Sequence, residues 1–194
     1  NLVEDRRILL ENYHLVDAAI RVGGIGSVGT FCGILLMMAA ENDPLILQFK
    51  EASESVLERF LGKSKHKNHG ERIVTGQRLM QSHSDIFIGW TKSPSQGRHF
   101  FIRQLKDMKM SITPENWVPA RALEVAKLLG WILARAHGRC GDAAVMAGYM
   151  GTSDAFDEAI AQFAMSYADQ SERDHHALEL AIKSGRIKAE KNPF

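Results

Sequence analysis

The chain has 194 residues, of which 45% are hydrophobic and 24% are charged, an ordinary composition for a folded globular protein. The formal net charge of +1 argues against a basic nucleic-acid or membrane-binding face, and no segment approaches the roughly 18 consecutive apolar residues of a membrane span. The two cysteines, Cys32 and Cys140, are too few for a disulfide framework, which predicts a reducing compartment and a cytoplasmic location.

The first part of the chain is predicted to be rich in strands. Apolar runs bounded by turn residues predict strands at residues 14–22, 31–38, 45–49, 86–91 and 99–105. Helical spacing of apolar residues predicts helices at residues 51–60 and 71–81. The segment Pro94-Ser95-Gln96-Gly97 between the last two strands is typical of a hairpin turn, so the predicted sheet is mainly antiparallel.

Residues 115–185 are predicted to be helical throughout. One apolar stripe ends at His137, a second helix follows Asp154, and Ser171 is a candidate N-cap for a last helix that ends at Gly185. Because strands and helices are segregated along the chain, we expect an α+β fold rather than an alternating α/β sheet. We place the boundary between a sheet-containing lobe, residues 1–110, and a helical region, residues 111–194.

A glycine motif lies between the first two predicted strands. The segment Gly24-Ile25-Gly26-Ser27-Val28-Gly29 fits the pattern G-x-G-x-x-G. A dinucleotide-binding fold would need a helix directly after it and an acidic residue about 20 positions on, but a strand is predicted there and the residue is Lys50. A kinase-type phosphate loop and a glycine-rich hairpin without a ligand both remain open.

The order of the predicted elements favours the kinase-type loop. In that arrangement, a lysine on the strand after the loop's hairpin binds phosphate and is held by a glutamate from a helix. Lys50 ends the third predicted strand, in the position of the lysine in V-A-I-K. We favour Glu71 as its partner, because a helix must first turn back across the sheet, with Glu54 and Glu58 as alternatives.

Other sites are less well supported by the sequence. The spacings His66-x-x-His69 and His137-x-x-Cys140 resemble metal-ligand pairs, but a structural zinc site needs four ligands in recognisable pairs. We therefore predict no metal site built from these residues. The three tryptophans are too dispersed to form a stacking platform for single-stranded nucleic acid.

Several separate segments resemble a bacterial family, the domain of unknown function 2252 family. The segments that carry the resemblance are Gly24–Thr30, Gly76–Ser82, Ser84–Thr91, Ile102–Lys109, Leu133–His137 with Gly141-Asp142, and Tyr167–Gln170. They follow the family's order over nearly the whole chain. The resemblance implies a protein-kinase-like fold, a phosphate loop at Gly24–Thr30, a phosphate-binding lysine at Lys50 and an adenine-binding connector at Arg103–Lys109.

The resemblance also implies what these residues lack. The family's catalytic motif, of the form G-D-x-H-x-x-N-F-G, and its metal-binding D-F-D-like motif normally lie upstream of the glycine loop, and neither occurs here. We therefore expect this chain to be the C-terminal part of a longer protein, which would supply the Mg²⁺ ligands. Alone, the chain is expected to be inactive.

The predicted function is ATP-type nucleotide binding as part of a kinase-like phosphotransferase whose acceptor the sequence does not reveal. Gly24, Gly26, Ser27 and Gly29 would cradle the phosphates, and Lys50 would neutralise them. Two alternatives stay open: a non-catalytic nucleotide-binding or regulatory module, and a structural, partner-binding protein with an empty glycine loop.

Overall fold

The computed structural model describes residues 1–22, 29–105 and 117–189. By its internal contacts the chain divides into two units, Asn1–Gly141 and Asp142–Phe194. The boundary expected from the sequence, between residues 110 and 111, lies in the segment 106–116, outside the described residues.

The first unit contains a five-stranded antiparallel sheet, which confirms the α+β class and the predicted sheet. Its strands are β1 (His14–Ile20), β2 (Cys32–Met38), β3 (Pro44–Ala52), β4 (Gly89–Lys92) and β5 (His99–Gln104). The strand order is β1-β2-β3-β5-β4, so β3 lies at the centre and β1 and β4 form the edges. Each pair of neighbours is antiparallel. Short connections join β2 to β3 and β4 to β5, as antiparallel neighbours allow.

Six helices accompany the sheet in the described part of the chain. They are α1 (Glu4–Glu11), α2 (Glu58–Leu61), α3 (His69–Met80), α4 (Pro119–Cys140), α5 (Ala143–Met150) and α6 (Ala155–Lys183). The first four belong to Asn1–Gly141 and the last two to Asp142–Phe194. None of the described helices has the length and apolarity needed to cross a membrane.

One part of the core lies where α1 and the segment before β4 meet the sheet. Leu45 and Leu47 of β3 are buried against Phe87, and Leu10 of α1 packs against the same cluster. Because successive side chains of a strand point to opposite faces, Leu45 and Leu47 mark one face of the sheet. The opposite face of β3 carries Gln48 and Lys50.

Helix α3 forms the second part of the core. Asn68 caps it, since its side-chain oxygen accepts hydrogen bonds from the N–H groups of Gly70 and Glu71 at 2.8 and 3.2 Å. Val74 is fully buried, and Gly70 lies so close to the Phe100 carbonyl that a Cβ would overlap it. The predicted helix at residues 71–81 is confirmed, two residues longer at its start.

The predicted helix at residues 51–60 is wrong. Strand β3 continues to Ala52, where Glu51 pairs with Phe100 and Ala52 pairs with His99 of β5. Only Glu58–Leu61 is helical there. The helical spacing of the apolar residues was outweighed by the backbone hydrogen bonds that β5 supplies to the end of β3.

The second unit differs from the expectation at one helix end. Ser171 does not cap a new helix, because α6 continues without a break from Ala155 to Lys183. No glycine or proline interrupts that segment, so nothing in the backbone forces an end at Ser171. Asp154 precedes α6 as expected, although its side chain makes no capping hydrogen bond.

Candidate phosphate-binding site

Lys50 lies near the end of the central strand, where the chain enters β2 from the glycine segment. It pairs with Cys32 at the start of β2 and with Phe101 of β5. Gly29, with a φ of 80°, belongs to the turn just before β2. The antiparallel register therefore brings the lysine and the end of the glycine segment to the same end of the sheet.

Most of the predicted phosphate loop cannot be compared with its expected position. Gly24, Gly26 and Ser27 belong to the segment 23–28, which lies outside the described residues. Gly29 is described, and its positive φ is a conformation that favours glycine over other residues. Similarly, the predicted connector Arg103–Lys109 is described only as far as residue 105.

A pair of bonded polar side chains lies next to Lys50 on its face of the sheet. Gln48, two residues earlier on β3, is 5% exposed and accepts hydrogen bonds from the Arg103 guanidinium at 3.2 and 3.3 Å. Its side-chain N–H₂ donates to Cys32 Sγ at 3.6 Å. A buried amide needs such partners, since an unpaired polar group would be costly there.

No carboxylate of the described residues lies beside the ammonium group of Lys50. This group forms no ion pair within 4.0 Å with any residue that the structure describes. Arg103 on the neighbouring strand also lacks one, since its described partner is the neutral amide of Gln48. Within the described residues, the positive charges of the half-buried Lys50 and Arg103 therefore have no acidic partner on this face.

Glu71, the favoured partner of Lys50, lies elsewhere in the described structure. It is in the first turn of α3, and its carboxylate is 3.7 Å from the imidazole Nδ1 of His66. Of the two alternatives, Glu58 accepts a hydrogen bond from the Ser55 N–H at 3.4 Å and Glu54 is exposed. None of the three glutamates is within ion-pair distance of Lys50 in the part of the chain that the structure describes.

Helix α3 nevertheless begins above the face that carries Lys50. His99 and Phe101 share one face of β5, and Phe101 is opposite Lys50. The N–H of His69, the first residue of α3, donates to His99 Nδ1 at 3.1 Å. Glu71 is thus carried by a helix that covers the correct face.

Glu51 fixes the entrance to β2, a role that the sequence did not indicate. Its carboxylate accepts a hydrogen bond from the Phe31 N–H at 3.0 Å and lies 3.3 Å from the Arg98 guanidinium. The Phe31 carbonyl accepts from the Glu51 N–H at 2.8 Å. These bonds hold the strand that follows the glycine segment against the strand that carries Lys50.

Histidines gather at the start of α3, but they do not form a metal centre. The His69 and His99 rings are 5.2 Å apart. Burial lowers the pKa of His99 below 6.5, and the neighbouring His69 and Lys92 lower this pKa further. Among the described residues, no group of three histidine, cysteine or acidic side chains could hold a metal ion.

Asp142, in the segment after His137, has a structural role. Its side-chain oxygen accepts hydrogen bonds from the N–H groups of Ala144 and Val145 at 2.9 and 3.1 Å. These are the capping bonds of the N-terminus of α5.

Fold and site together define an α+β protein whose antiparallel sheet carries, beside a glycine-rich connection, a lysine with no ion-pair partner among the described residues. Residues 1–181 match the family described as "Uncharacterized protein conserved in bacteria (DUF2252)", and the chain belongs to that family. No curated protein and no solved structure matches the chain.

Proposed function

We propose that this chain binds the phosphates of an ATP-type nucleotide and is the nucleotide-binding part of a kinase-like phosphotransferase. The observation that carries the proposal is the ammonium of Lys50, which has no carboxylate partner among the described residues, at the end of the sheet where the glycine segment enters β2. A half-buried cation without a carboxylate partner is stabilised when an anion binds beside it.

The order of the elements supports a kinase-like fold. A kinase nucleotide lobe has two strands joined by a glycine-rich loop, a third strand with the lysine, and a helix with its glutamate. Here β1, the glycine segment, β2, β3 with Lys50 and α3 with Glu71 follow in that order.

Each predicted site residue has a distinct role in this proposal. Backbone N–H groups of Gly24, Gly26, Ser27 and Gly29 cradle the phosphates, and Lys50 neutralises them. Glu71 leaves His66 and orients Lys50 when the nucleotide binds, because kinases form their lysine–glutamate pair by moving this helix.

One departure from the kinase pattern concerns the contact with the adenine base of the nucleotide. Gln48 occupies the position of the alanine in V-A-I-K, and its amide is already bonded to Arg103. The base would therefore meet a polar pair of side chains here. The upstream segment that the family resemblance implies would hold Mg²⁺ and would supply the carboxylate that activates the acceptor. We also propose that the protein is located in the cytoplasm.

The test is a calorimetric titration of Mg²⁺-ATP into the chain and into Lys50→Ala. We expect saturable binding that weakens at least about tenfold in Lys50→Ala, because a charge-assisted contact contributes roughly 1.5–3 kcal/mol. Lys50→Met, which keeps the length of the side chain without its charge, should lose as much. Lys127→Ala, an exposed lysine of α4, is the matched control and should bind like the unchanged chain.

The outcomes separate the proposal from its alternatives. If a folded sample binds no nucleotide and the protein with its upstream segment binds none either, the phosphate-binding role is wrong. If the longer protein binds ATP through Lys50 but transfers no phosphoryl group to any acceptor or to water, a non-catalytic nucleotide-binding module is favoured.

A structural, partner-binding role is the second candidate, and the surface of α6 favours it. Phe163 and Tyr167 stack on each other, with ring centroids 5.7 Å apart, and both are more than half exposed. Exposed apolar side chains on one helix are typical of a protein-binding surface. This candidate predicts no nucleotide affinity and a change in oligomeric state or partner binding in Phe163→Ser.

A further inference from the structure

A second candidate site lies away from Lys50, between α3 and α4. A cavity of about 930 Å³ separates these two helices within the unit Asn1–Gly141. Three of the residues that line it are arginines, namely Arg72 from α3 and Arg135 and Arg139 from α4. No aspartate or glutamate is among the described residues that line it, so its walls carry an excess of positive charge.

The three guanidinium groups retain free hydrogen-bonding capacity. Arg72 donates from Nη2 to the Ser53 carbonyl at 2.8 Å, while its buried Nε has no acceptor in the described part of the chain. Arg139 donates from Nη1 to the Gln81 carbonyl at 3.2 Å. None of the three arginines forms an ion pair within 4.0 Å with a described residue.

The rest of the cavity is suited to the organic part of a ligand. The Arg135 guanidinium lies over the Trp131 ring, 4.8 Å from its centroid. Ile132 and Met80 contribute apolar surface from the two helices, and Gln77 contributes an amide. A few polar groups among apolar side chains in one cavity are the usual composition of a small-molecule site.

We propose that this cavity binds a small molecule carrying a phosphate or diphosphate group, independently of the site at Lys50. Three arginines with no carboxylate among them match a ligand with more than one negative charge. A phosphate monoester carries about −1.5 to −2 at neutral pH, and the planar guanidinium bonds its oxygens in pairs. Trp131 and Ile132 would contact the group to which the phosphate is attached.

Inorganic pyrophosphate is the first probe. Its binding is measured by calorimetry and by the change in tryptophan fluorescence. We expect saturable binding, with a fluorescence change that disappears in Trp131→Phe because Arg135 stacks on that ring. Citrate has a similar charge but only carboxylate oxygens, and it should bind at least about tenfold more weakly. Equal binding of citrate would overturn the assignment to phosphate.

Charge-neutralising variants identify the cavity as the binding site. Arg135→Gln and Arg139→Gln should each weaken pyrophosphate binding about tenfold, since a charge-assisted hydrogen bond contributes roughly 1.5–3 kcal/mol. Arg121→Gln is the matched control, because this arginine is exposed on α4 but does not line the cavity. Equal weakening in Arg121→Gln would mean that the charge of the surface, not the cavity, attracts the anion.

A steric variant gives the same answer without changing any charge. A Cβ at Gly76 would meet no atom within 4 Å, so Gly76→Leu can extend into the cavity from α3. It should abolish the Trp131 fluorescence response to pyrophosphate, whereas Gly130→Leu, also with open space around it but outside the lining, should not. An unchanged response in a folded Gly76→Leu sample would overturn the proposal.

The same variants keep this site distinct from the proposed nucleotide site. Lys50→Ala should leave the Trp131 fluorescence response to pyrophosphate unchanged, and Arg135→Gln should leave unchanged the part of Mg²⁺-ATP binding that is lost in Lys50→Ala. If Arg135→Gln abolishes ATP binding while Lys50→Ala does not, the cavity holds the nucleotide and the role of Lys50 is wrong.

Discussion

The two units of the chain use their apolar residues differently. In Asn1–Gly141, Val74 and Ile88 are 0% and 1% exposed, because α3 packs against the sheet. In the described part of Asp142–Phe194, Ala181 is the one buried residue. Tertiary packing therefore stabilises the first unit, whereas the helices of the second unit depend mainly on local interactions.

Local interactions are visible along α6. Asp157 lies in its first turn, where a negative charge is favourable, and Gln170 donates to Asp174 one turn later at 2.7 Å. Near the end, Lys183 is 3.8 Å from Glu179. Each such pair contributes only about 0.2–0.5 kcal/mol, so these pairs stabilise α6 only weakly.

The largest expected difference between the units comes from matched isoleucines. Ile88→Ala should destabilise the first unit by about 2–5 kcal/mol, because the lost methyl groups leave a cavity in a fully packed site. Ile160→Ala, at a residue of α6 that is 52% exposed, should change stability by less than about 0.5 kcal/mol.

Urea unfolding followed by tryptophan fluorescence and by circular dichroism measures both variants. All three tryptophans belong to Asn1–Gly141, so fluorescence reports on the first unit alone. A loss in Ile160→Ala as large as that in Ile88→Ala would show that the surface of α6 is covered in solution.

Alanine substitutions at two glycines, one in each unit, should show the same difference in packing with smaller changes in stability. A Cβ at Gly70 would overlap the backbone carbonyl of Phe100, so Gly70→Ala should cost about 1–3 kcal/mol through displacement of α3 from β5. Gly148 in α5 has no atom within 4 Å of the same position. Gly148→Ala should stabilise the second unit by about 0.5–1 kcal/mol, because alanine favours a helix over glycine. A slightly higher thermal midpoint of this unit would show it. Stabilisation by Gly70→Ala would contradict the close contact between α3 and β5.

The sheet could be predicted because its information is local. The apolar runs and turn residues that mark β1, β2 and β5 lie within or beside each strand. The end of β3 could not be predicted in this way. Glu51 and Ala52 are extended because of Phe100 and His99, residues that are distant in sequence.

The candidate site likewise has features that sequence order predicts and features that depend on contacts between distant residues. Lys50 was predicted from the order of strand, glycine motif, strand, turn, strand and lysine, which is a pattern of sequence order. No spacing rule connects the residues of the Arg103–Gln48 bond or of the Arg98–Glu51 ion pair. The same holds for the arginines that line the cavity between α3 and α4. Contacts of this kind follow from the sheet order and from helix packing, and only the three-dimensional structure reveals them.

The His69–His99 contact, another long-range pair, predicts the smallest effect, a dependence of stability on pH. Nδ1 of His99 accepts the His69 N–H, so its imidazole is neutral in the folded protein, and its pKa is lowered from 6.5 by burial and by the charges of His69 and Lys92. The unfolded chain then binds the proton more readily than the folded protein does. The contribution of neutral His99 to stability is therefore complete above about pH 6.5 and is lost as the pH falls toward the lower pKa of the folded state. Urea midpoints from about pH 8 down to about pH 5 should decline less in His99→Asn, whose side-chain oxygen can still accept the His69 N–H, than in the unchanged chain. His14→Asn, at an exposed histidine of β1, should keep the original decline, and an equal decline in all three proteins would mean that His99 does not contribute to it.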